Sequence, residues 1–447
     1  MTPTFSSLSN RNFRLFASGQ LVSNTGTWMQ RVAQDWLVLS LTAGSGTALG
    51  ITTALQFLPM LLFSLWGGVI ADRLPKRPVL LGTQAVSGVQ ALVLGLLVVT
   101  GEVHLWHVYV LATLLGVTAA LDTPVRQAFV PEMVGRQHLP NAIALGSATF
   151  NLGRVFGPAV AGLLIAAVGT GWVFLINAAS YLAVITGLLL MRPADLRPAD
   201  RVARAPGQLR EGLRYVLQRR DLLLVIVVTA AVGTFGLNFQ ITTALMATHV
   251  FHGGAQAFGL LTTAFALGSL AGALLSARRA GRSGARPGLR YVVGLAAGFA
   301  VLETIAGLAP SYPTFFVLLV PTGLLAISFA TSANPFLQLG AEPQVRGRVM
   351  ALYTLMFLGG TPFGAPFIGW LAETAGARWS LIGGGLLTGV CIVVAVAVLR
   401  PGAARDTSSQ ATPGPAGSGA ATRAAGPGDE NCLGAVAGYP VDGRARA

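Results

Sequence analysis

Residues 36–77 read WLVLSLTAGSGTALGITTALQFLPMLLFSLWGGVIADRLPKR: no Asp, Glu, Lys or Arg occurs from Trp36 to Ala71, and then Asp72, Arg73, Lys76 and Arg77 arrive together. A helix crossing a bilayer needs roughly 20 mostly apolar residues, so this run holds one whole span and the end of the one before it. The charged cluster marks a return to water. The pattern recurs, since residues 78–101, 155–191, 222–277, 304–341, 349–372 and 379–399 are likewise free of charge. Charged residues make up 10% of the chain and hydrophobic residues 53%, whereas soluble domains carry about 25% charged residues. The Gly, Pro and charge clusters between the runs predict spans near 14–39, 46–71, 78–100, 105–124, 141–168, 172–191, 222–248, 256–277, 290–309, 313–335, 348–372 and 379–399. That is twelve helices with both termini on one side, an all-α integral membrane protein.

The net charge of +14 would suggest nucleic acid in a soluble protein, but its distribution excludes that reading. Of 26 Lys and Arg before residue 401, 23 fall in the terminal and even-numbered loops, one (Arg378) in an odd-numbered loop, and Arg31 and Arg154 inside spans. This is the positive-inside bias of short loops, and it assigns both termini to the cytoplasm. The 192–220 loop carries Arg192, Arg197, Arg201, Arg204, Arg210, Arg214, Arg219 and Arg220, which suits an anionic inner leaflet. One lysine against 29 arginines, with a heavy Ala and Gly load, suggests a high-GC bacterial genome and hence a bacterial plasma membrane. Residues 1–13 are polar and the first apolar run is long enough to span, so no cleavable leader is expected. Cys391 and Cys432 form neither a disulfide framework nor a metal site, and residues 401–447, rich in Ala, Gly, Pro and Arg, are expected to be a disordered tail.

Set against itself at an offset of 207 residues, the chain places Gly153, Gly157, Gly162, Gly169 and Trp172 on Gly360, Gly364, Gly369, Gly376 and Trp379, and Gly26 on Gly233. The expected organisation is a six-helix half over 1–191, a basic linker over 192–220, a second half over 221–400 and the tail. Repeats of this kind are a mark of secondary transporters, whose site lies at the midplane between the halves.

Two motifs carry a family resemblance. The loop Gly68-Val69-Ile70-Ala71-Asp72-Arg73-Leu74-Pro75-Lys76-Arg77 resembles the signature of the major facilitator superfamily. In the fifth span, Gly153-Arg154-Val155-Phe156-Gly157-Pro158-Ala159-Val160-Ala161-Gly162 is similar to the glycine–proline motif of superfamily antiporters, with Ala161 where a glycine usually stands. Read physically, the motif says only that a bent helix packs closely on a neighbour. Asn10-Arg11-Asn12-Phe13-Arg14, Gly26-Thr27-Trp28-Met29-Gln30-Arg31 and Arg346-Gly347-Arg348-Val349-Met350-Ala351-Leu352 resemble the transmembrane secretion effector branch, which includes the enterobactin exporter. The resemblance implies two pseudo-symmetric six-helix bundles and export of a small molecule. It also implies an inner gate drawing on Gly68, Asp72, Arg73, Lys76 and Arg77, with Asp122 and Arg126 beside it. One departure is that Ala112 stands four residues before Gly116, where drug–proton antiporters have an arginine.

The first span offers its own candidates. Gln20, Asn24, Trp28, Arg31 and Asp35 recur every three or four residues and share one helix face. Charges inside a span usually face a cavity and pair, because each costs about 2.5–3.5 kcal/mol to insert. Asp35 reads either as a protonatable coupling group answering to Arg31 or as half of a static salt bridge. At the 207 offset, Trp28, Arg31 and Asp35 correspond to Phe235, Asn238 and Thr242. Glu303 is a second candidate for proton handling. Arg154 is expected to form an ion pair toward the inner side or to contact an anionic substrate. His104, His107, His249 and His252 lie in outer loops without the Cys or carboxylate partners of a metal site. No phosphate-binding Gly-x-x-x-x-Gly-Lys motif is present, and no cofactor is expected. The reading is a monomeric, proton-coupled exporter of a small, amphipathic molecule such as a drug, siderophore or secondary metabolite. The alternative is an importer or facilitator of a small metabolite, and an intramembrane enzyme finds no catalytic constellation.

Overall fold

The computed structural model describes residues 3–196, 208–283, 287–343 and 345–399, and residues up to Pro401 form one compact unit. The tail with Cys432, most of the basic linker, and the side chains of Gly68, Asp72 and Arg136 lie outside the described residues. Among the described residues all regular structure is helical: α1 (Arg11–Leu41), α2 (Gly46–Arg73), α3 (Lys76–Thr100), α4 (Leu105–Val168), α5 (Thr170–Leu189), α6 (Gln208–Gln218), α7 (Arg220–Ala231), α8 (Phe239–Leu245), α9 (Ala255–Ser283), α10 (Leu289–Gly307), α11 (Tyr312–Gly340), α12 (Arg346–Gly359), α13 (Thr361–Ala375) and α14 (Ala377–Leu399), with short 3-10 and π turns between some of them. Hydrocarbon offers the backbone no water, so helices are the expected solution.

Eleven described segments are long and apolar enough to cross a membrane. The first helix is not among them, although its 31 residues exceed a span's length. Its polar stripe lowers its hydropathy, so the same residues that mark it as a candidate site remove it from an apolarity count. Where turns were expected between the fourth and fifth spans, α4 runs on through Pro124, Pro131 and Pro140, and Leu105–Gly135 and Gln137–Val168 each qualify as a span. The reversal sits at Gly135, whose φ of 71° suits glycine and strains other residues. The seventh span is interrupted, with π turns at Val232–Gly236 and Met246–Val250 around α8.

The molecule is apolar on the outside as well as in its core. Trp66, Leu182, Val317, Phe363 and Val398 are exposed, while Phe129, Phe174, Phe258, Phe299, Phe315 and Phe329 are fully buried. An exposed girdle of this kind is solvated by acyl chains. Polar clamps fix the arginine-rich end. Asn10 caps α1 by accepting from the Phe13 N–H and donates to the Met133 carbonyl beside the α4 reversal (2.6 Å). Asn12, fully buried, donates to the Arg192 carbonyl (2.9 Å) and accepts from its N–H (3.0 Å), holding the chain that leaves α5. The Asn-Arg-Asn opening is therefore a structural clamp.

Replacing Asn12 by Ala leaves that buried N–H and carbonyl unpaired, which costs about 1–3 kcal/mol. The expected outcome is a lowered melting temperature in detergent, read by fluorescence-detected size exclusion after heating, with Asn12→Asp falling between the two.

Candidate functional site

The polar face of α1 runs along a wall of the molecule built with α4. Toward the arginine-rich end it lines a cavity of about 590 Å³ with Phe13, Phe16, Gln20, Asn24, Arg126 and Phe150 among its walls. One turn deeper, the Trp28 ring meets Phe150 edge-on at 5.6 Å. The Arg31 guanidinium lies over the same indole at 4.7 Å, and Arg154 reaches it from α4 at 5.8 Å while also lying 5.8 Å from Phe265 of α9. Asp35, a further turn along, is 6% exposed, and its Oδ2 is buried without a hydrogen-bond partner. Arg31 and Asp35 share a face but form no ion pair within 4.0 Å, and Arg154 forms none among the described residues. The static-bridge reading of Asp35 and the ion-pair reading of Arg154 are thus not what the side chains do. Residues one turn apart can reach one another, yet Arg31 turns instead to the indole face.

Across the molecule the Asn238–Thr242 face belongs to a broken helix. Leu237 and Asn238 leave the helical region at the end of the first π turn, and the Asn238 amide donates to the freed carbonyls of Thr234 (2.8 Å) and Phe235 (3.2 Å). Asn238 Oδ1 and Thr242 Oγ1 remain buried and unpartnered. Asn238 also lines a small space of about 130 Å³ with Thr53, Phe57 and Phe357, so it faces both halves of the chain. Glu303 is 1% exposed and lacks a hydrogen-bond partner for Oε2. It is wedged where the first π turn and α14 come closest: a Cβ on Gly236 would lie 3.2 Å from Oε2, and one on Gly384 3.0 Å from Oε1. Glu303 is therefore separate from the Arg31 cluster, inside the second half. The π turns carried no sequence signal beyond Gly233 and Gly236.

The repeat glycines explain what holds the halves together. In the first half Gly153 and Gly157 pack on Asn24, Thr25 and Trp28 of α1, and their counterparts Gly360 and Gly364 pack on Thr234 in the seventh span. Gly162 abuts the start of α9, where a Cβ would meet the Ala255 carbonyl at 2.8 Å. Its counterpart Gly369 abuts the start of α2 at Gly46. Gly169 and Gly376 both take positive φ, at 85° and 103°. Gly26 and Gly233 do not make equivalent contacts, one packing on α5 and the other on α12. Two hydrogen-bonded contacts between the halves sit at the same end: Glu373 of α13 accepts from Ser45 Oγ and the Thr47 N–H at the start of α2 (3.2 Å each), and His249 bonds the Gly44 carbonyl (2.8 Å). A third, from Thr263 to the Val155 carbonyl (3.2 Å), lies deeper, beside Arg154. Sequence reasoning missed Glu373 as a latch and weighed His249 only as a metal ligand.

At the arginine-rich end, the described residues expected to form a gate bond within the first half. Lys76 pairs with Glu132 (2.7 Å), and Arg77 caps the Leu188 and Leu189 carbonyls of α5 (2.7 and 3.1 Å). Asp122 accepts from Thr83 and Gln84 (2.8 Å each) and pairs with Arg126, which also donates to Gln20 (2.6 Å). Arg73 is exposed. This network braces α1, α3, α4 and α5 and joins them to one another.

Residues 2–427 match the family model described as transmembrane secretion effector. The chain is 24% identical over 385 residues to the staphyloferrin A transporter of Staphylococcus aureus, covering 85% of this chain and 94% of that protein. It is 29% identical over 359 residues to the enterobactin exporter EntS of Escherichia coli O139:H28, covering 79% and 84%. Among solved structures it superposes on a bacterial homolog of the human lysosomal transporter Spinster (TM-score 0.68, 16% identity, 89% of this chain and 97% of that one). It also superposes on a POT family transporter in complex with 5-aminolevulinic acid (TM-score 0.71, 11% identity, 88% and 96%).

Gly162→Leu and Gly369→Leu each place a side chain where the partner backbone stands. Both are expected to hold the two halves apart at this end, so that a cysteine at Ala375 reacts faster with a membrane-impermeant maleimide than in the parent. Unchanged labelling would contradict the packing role.

Proposed function

This chain belongs to the transmembrane secretion effector family of the major facilitator superfamily and is a small-molecule membrane transporter, and on that premise we propose that it exports an amphipathic molecule of siderophore, drug or secondary-metabolite type in exchange for protons. The observation that carries the coupling is Asp35. It is a buried carboxylate on the polar face of α1, with an unpartnered oxygen and with Arg31 one turn away turned toward Trp28. An ionised carboxylate in such a place needs compensation that no hydrogen-bond donor gives it. Taking up a proton removes that need, and substrate bound near Arg31 alters it. An inward gradient then drives the cycle, since 100 mV contributes about 2.3 kcal/mol per charge moved. Export is supported by the family, by the relative named as an exporter and by the glycine–proline motif. In this reading the glycine contacts seal the outer end while the cavity around Asn24 faces the cytoplasm, and the protein works as a monomer in the bacterial plasma membrane.

The test uses full-length protein in liposomes with an imposed pH gradient and a panel of siderophores, macrolides and dyes. Asp35→Asn is expected to abolish gradient-driven transport while leaving substrate counterflow intact. Equal gradient-driven transport by the variant removes Asp35 from coupling. Uptake against the outward-facing sense of the panel, in oriented vesicles, would replace export with import.

A further inference from the structure

Two guanidiniums inside the transmembrane region converge on a single indole. Each has its Cζ within 6 Å of the Trp28 ring, Arg31 from α1 and Arg154 from α4, and Arg154 is equally close to Phe265 on α9. Neither makes a hydrogen bond or ion pair among the described residues, and both are only half-buried. Their nitrogens are not among the fully buried atoms left without partners, whereas Arg11 Nη1 and Arg126 Nε are, so each fork keeps some accessible surface. The charged and titratable groups around them are Asp35 on α1 and Tyr181 on α5, beside the two arginines themselves. The cluster thus carries one positive charge more than it can balance. Cation–π contact with a shared ring softens that imbalance without cancelling it.

We infer that Arg31 and Arg154 form a binding site for a carboxylate carried by the transported molecule, with the faces of Trp28 and Phe265 receiving its flat apolar portion. A planar guanidinium pairs with a carboxylate through two parallel N–H···O bonds, and two forks from different helices select an anion between them. The placement suits transport, because α1, α4 and α9 meet here and α9 belongs to the other half of the chain. The neighbouring cavity of about 590 Å³, which shares Phe150 with the Trp28 contact, is large enough to hold a small molecule beside the site. A carboxylate bound here would also neutralise Arg31, the charge nearest Asp35 along the helix. The proposal rests on the transporter reading and names the chemistry of its cargo.

The experiment measures equilibrium binding of radiolabelled 2-naphthoate, its neutral carboxamide and citrate to the full chain in lipid nanodiscs. Binding of one or both acids is expected, with the carboxamide weaker by about tenfold, the worth of a charged hydrogen bond. Arg31→Gln and Arg154→Gln should each weaken the acid by a similar factor and leave the carboxamide unchanged. Both variants should melt no lower than the parent, because an unbalanced charge has been removed. Arg31→Lys and Arg154→Lys, which keep the charge but lose the fork, should fall between, and they carry the test if a Gln variant misfolds. Equal binding of acid and carboxamide, acid binding indifferent to both arginines, or no saturable binding of either acid overturns the site. Nanodiscs with and without phosphatidylglycerol separate cargo from lipid: displacement of the acid by anionic lipid, with no carriage of the acid in liposomes, assigns the arginines to a headgroup and overturns the proposal. Gradient-driven transport of the acid that is retained in full by the double Gln variant overturns the site while leaving the transporter reading standing. Acid binding without proton-driven movement of any compound leaves the site standing and removes the coupling.

Discussion

A backbone that crosses hydrocarbon must bond to itself, and helices that have done so have little left with which to hold one another. What remains is closeness, and in this chain closeness means glycine. The start of α2 lies on Gly369 and the start of α9 lies on Gly162, two contacts related by the internal repeat. Each brings backbone onto backbone across the two halves, where side chains would hold the helices apart. The polar contacts of Glu373 and His249 sit beside these glycines and depend on the approach the glycines allow. At the arginine-rich end, by contrast, Lys76, Arg77, Asp122 and Arg126 bond within the first half. The molecule is therefore fastened between halves at one end and braced within a half at the other.

How much of this the sequence discloses follows from the range of each interaction. Membrane class rests on composition averaged over a whole helix, and charge-free runs read it directly. The repeat glycines were legible because close packing leaves few alternatives to glycine, so the structural constraint is written as identity. The reversal between the fourth and fifth spans was legible too, but the helix that continues to either side of Gly135 was not, because Pro124, Pro131 and Pro140 suggest a loop when only neighbours are considered. The π turns of the seventh span were invisible because their cost is met by Asn238 bonding freed carbonyls, a tertiary arrangement of an ordinary residue. Arg31 and Asp35 show the limit most clearly. Spacing shows that two side chains can meet, and it does not show that an indole will compete for one of them.

The first helix joins these themes. It is the one long helix of the first half too polar to pass as an apolar span, and its polar residues divide by depth. Gln20 is tied into the bracing network, Asn24 borders the cavity, Arg31 leans on Trp28, and Asp35 is buried beyond it. Polar groups placed this way are costly to insert, and the proposed coupling and cargo roles rest on the deeper ones, Arg31 and Asp35.

In the proposed export cycle the two ends exchange roles, the glycine-sealed end opening as the arginine-rich end closes, and distance measurement between spin labels in lipid nanodiscs addresses this most directly. One pair sits at Ala43 and Ala375, beside the glycine contacts, and another at Gln127 and Gln338, toward the arginine-rich end. Under a pH shift with substrate present, alternating access requires the first distance to lengthen as the second shortens. Distances that change together, or a glycine-sealed end that stays closed while substrate is carried, would contradict it.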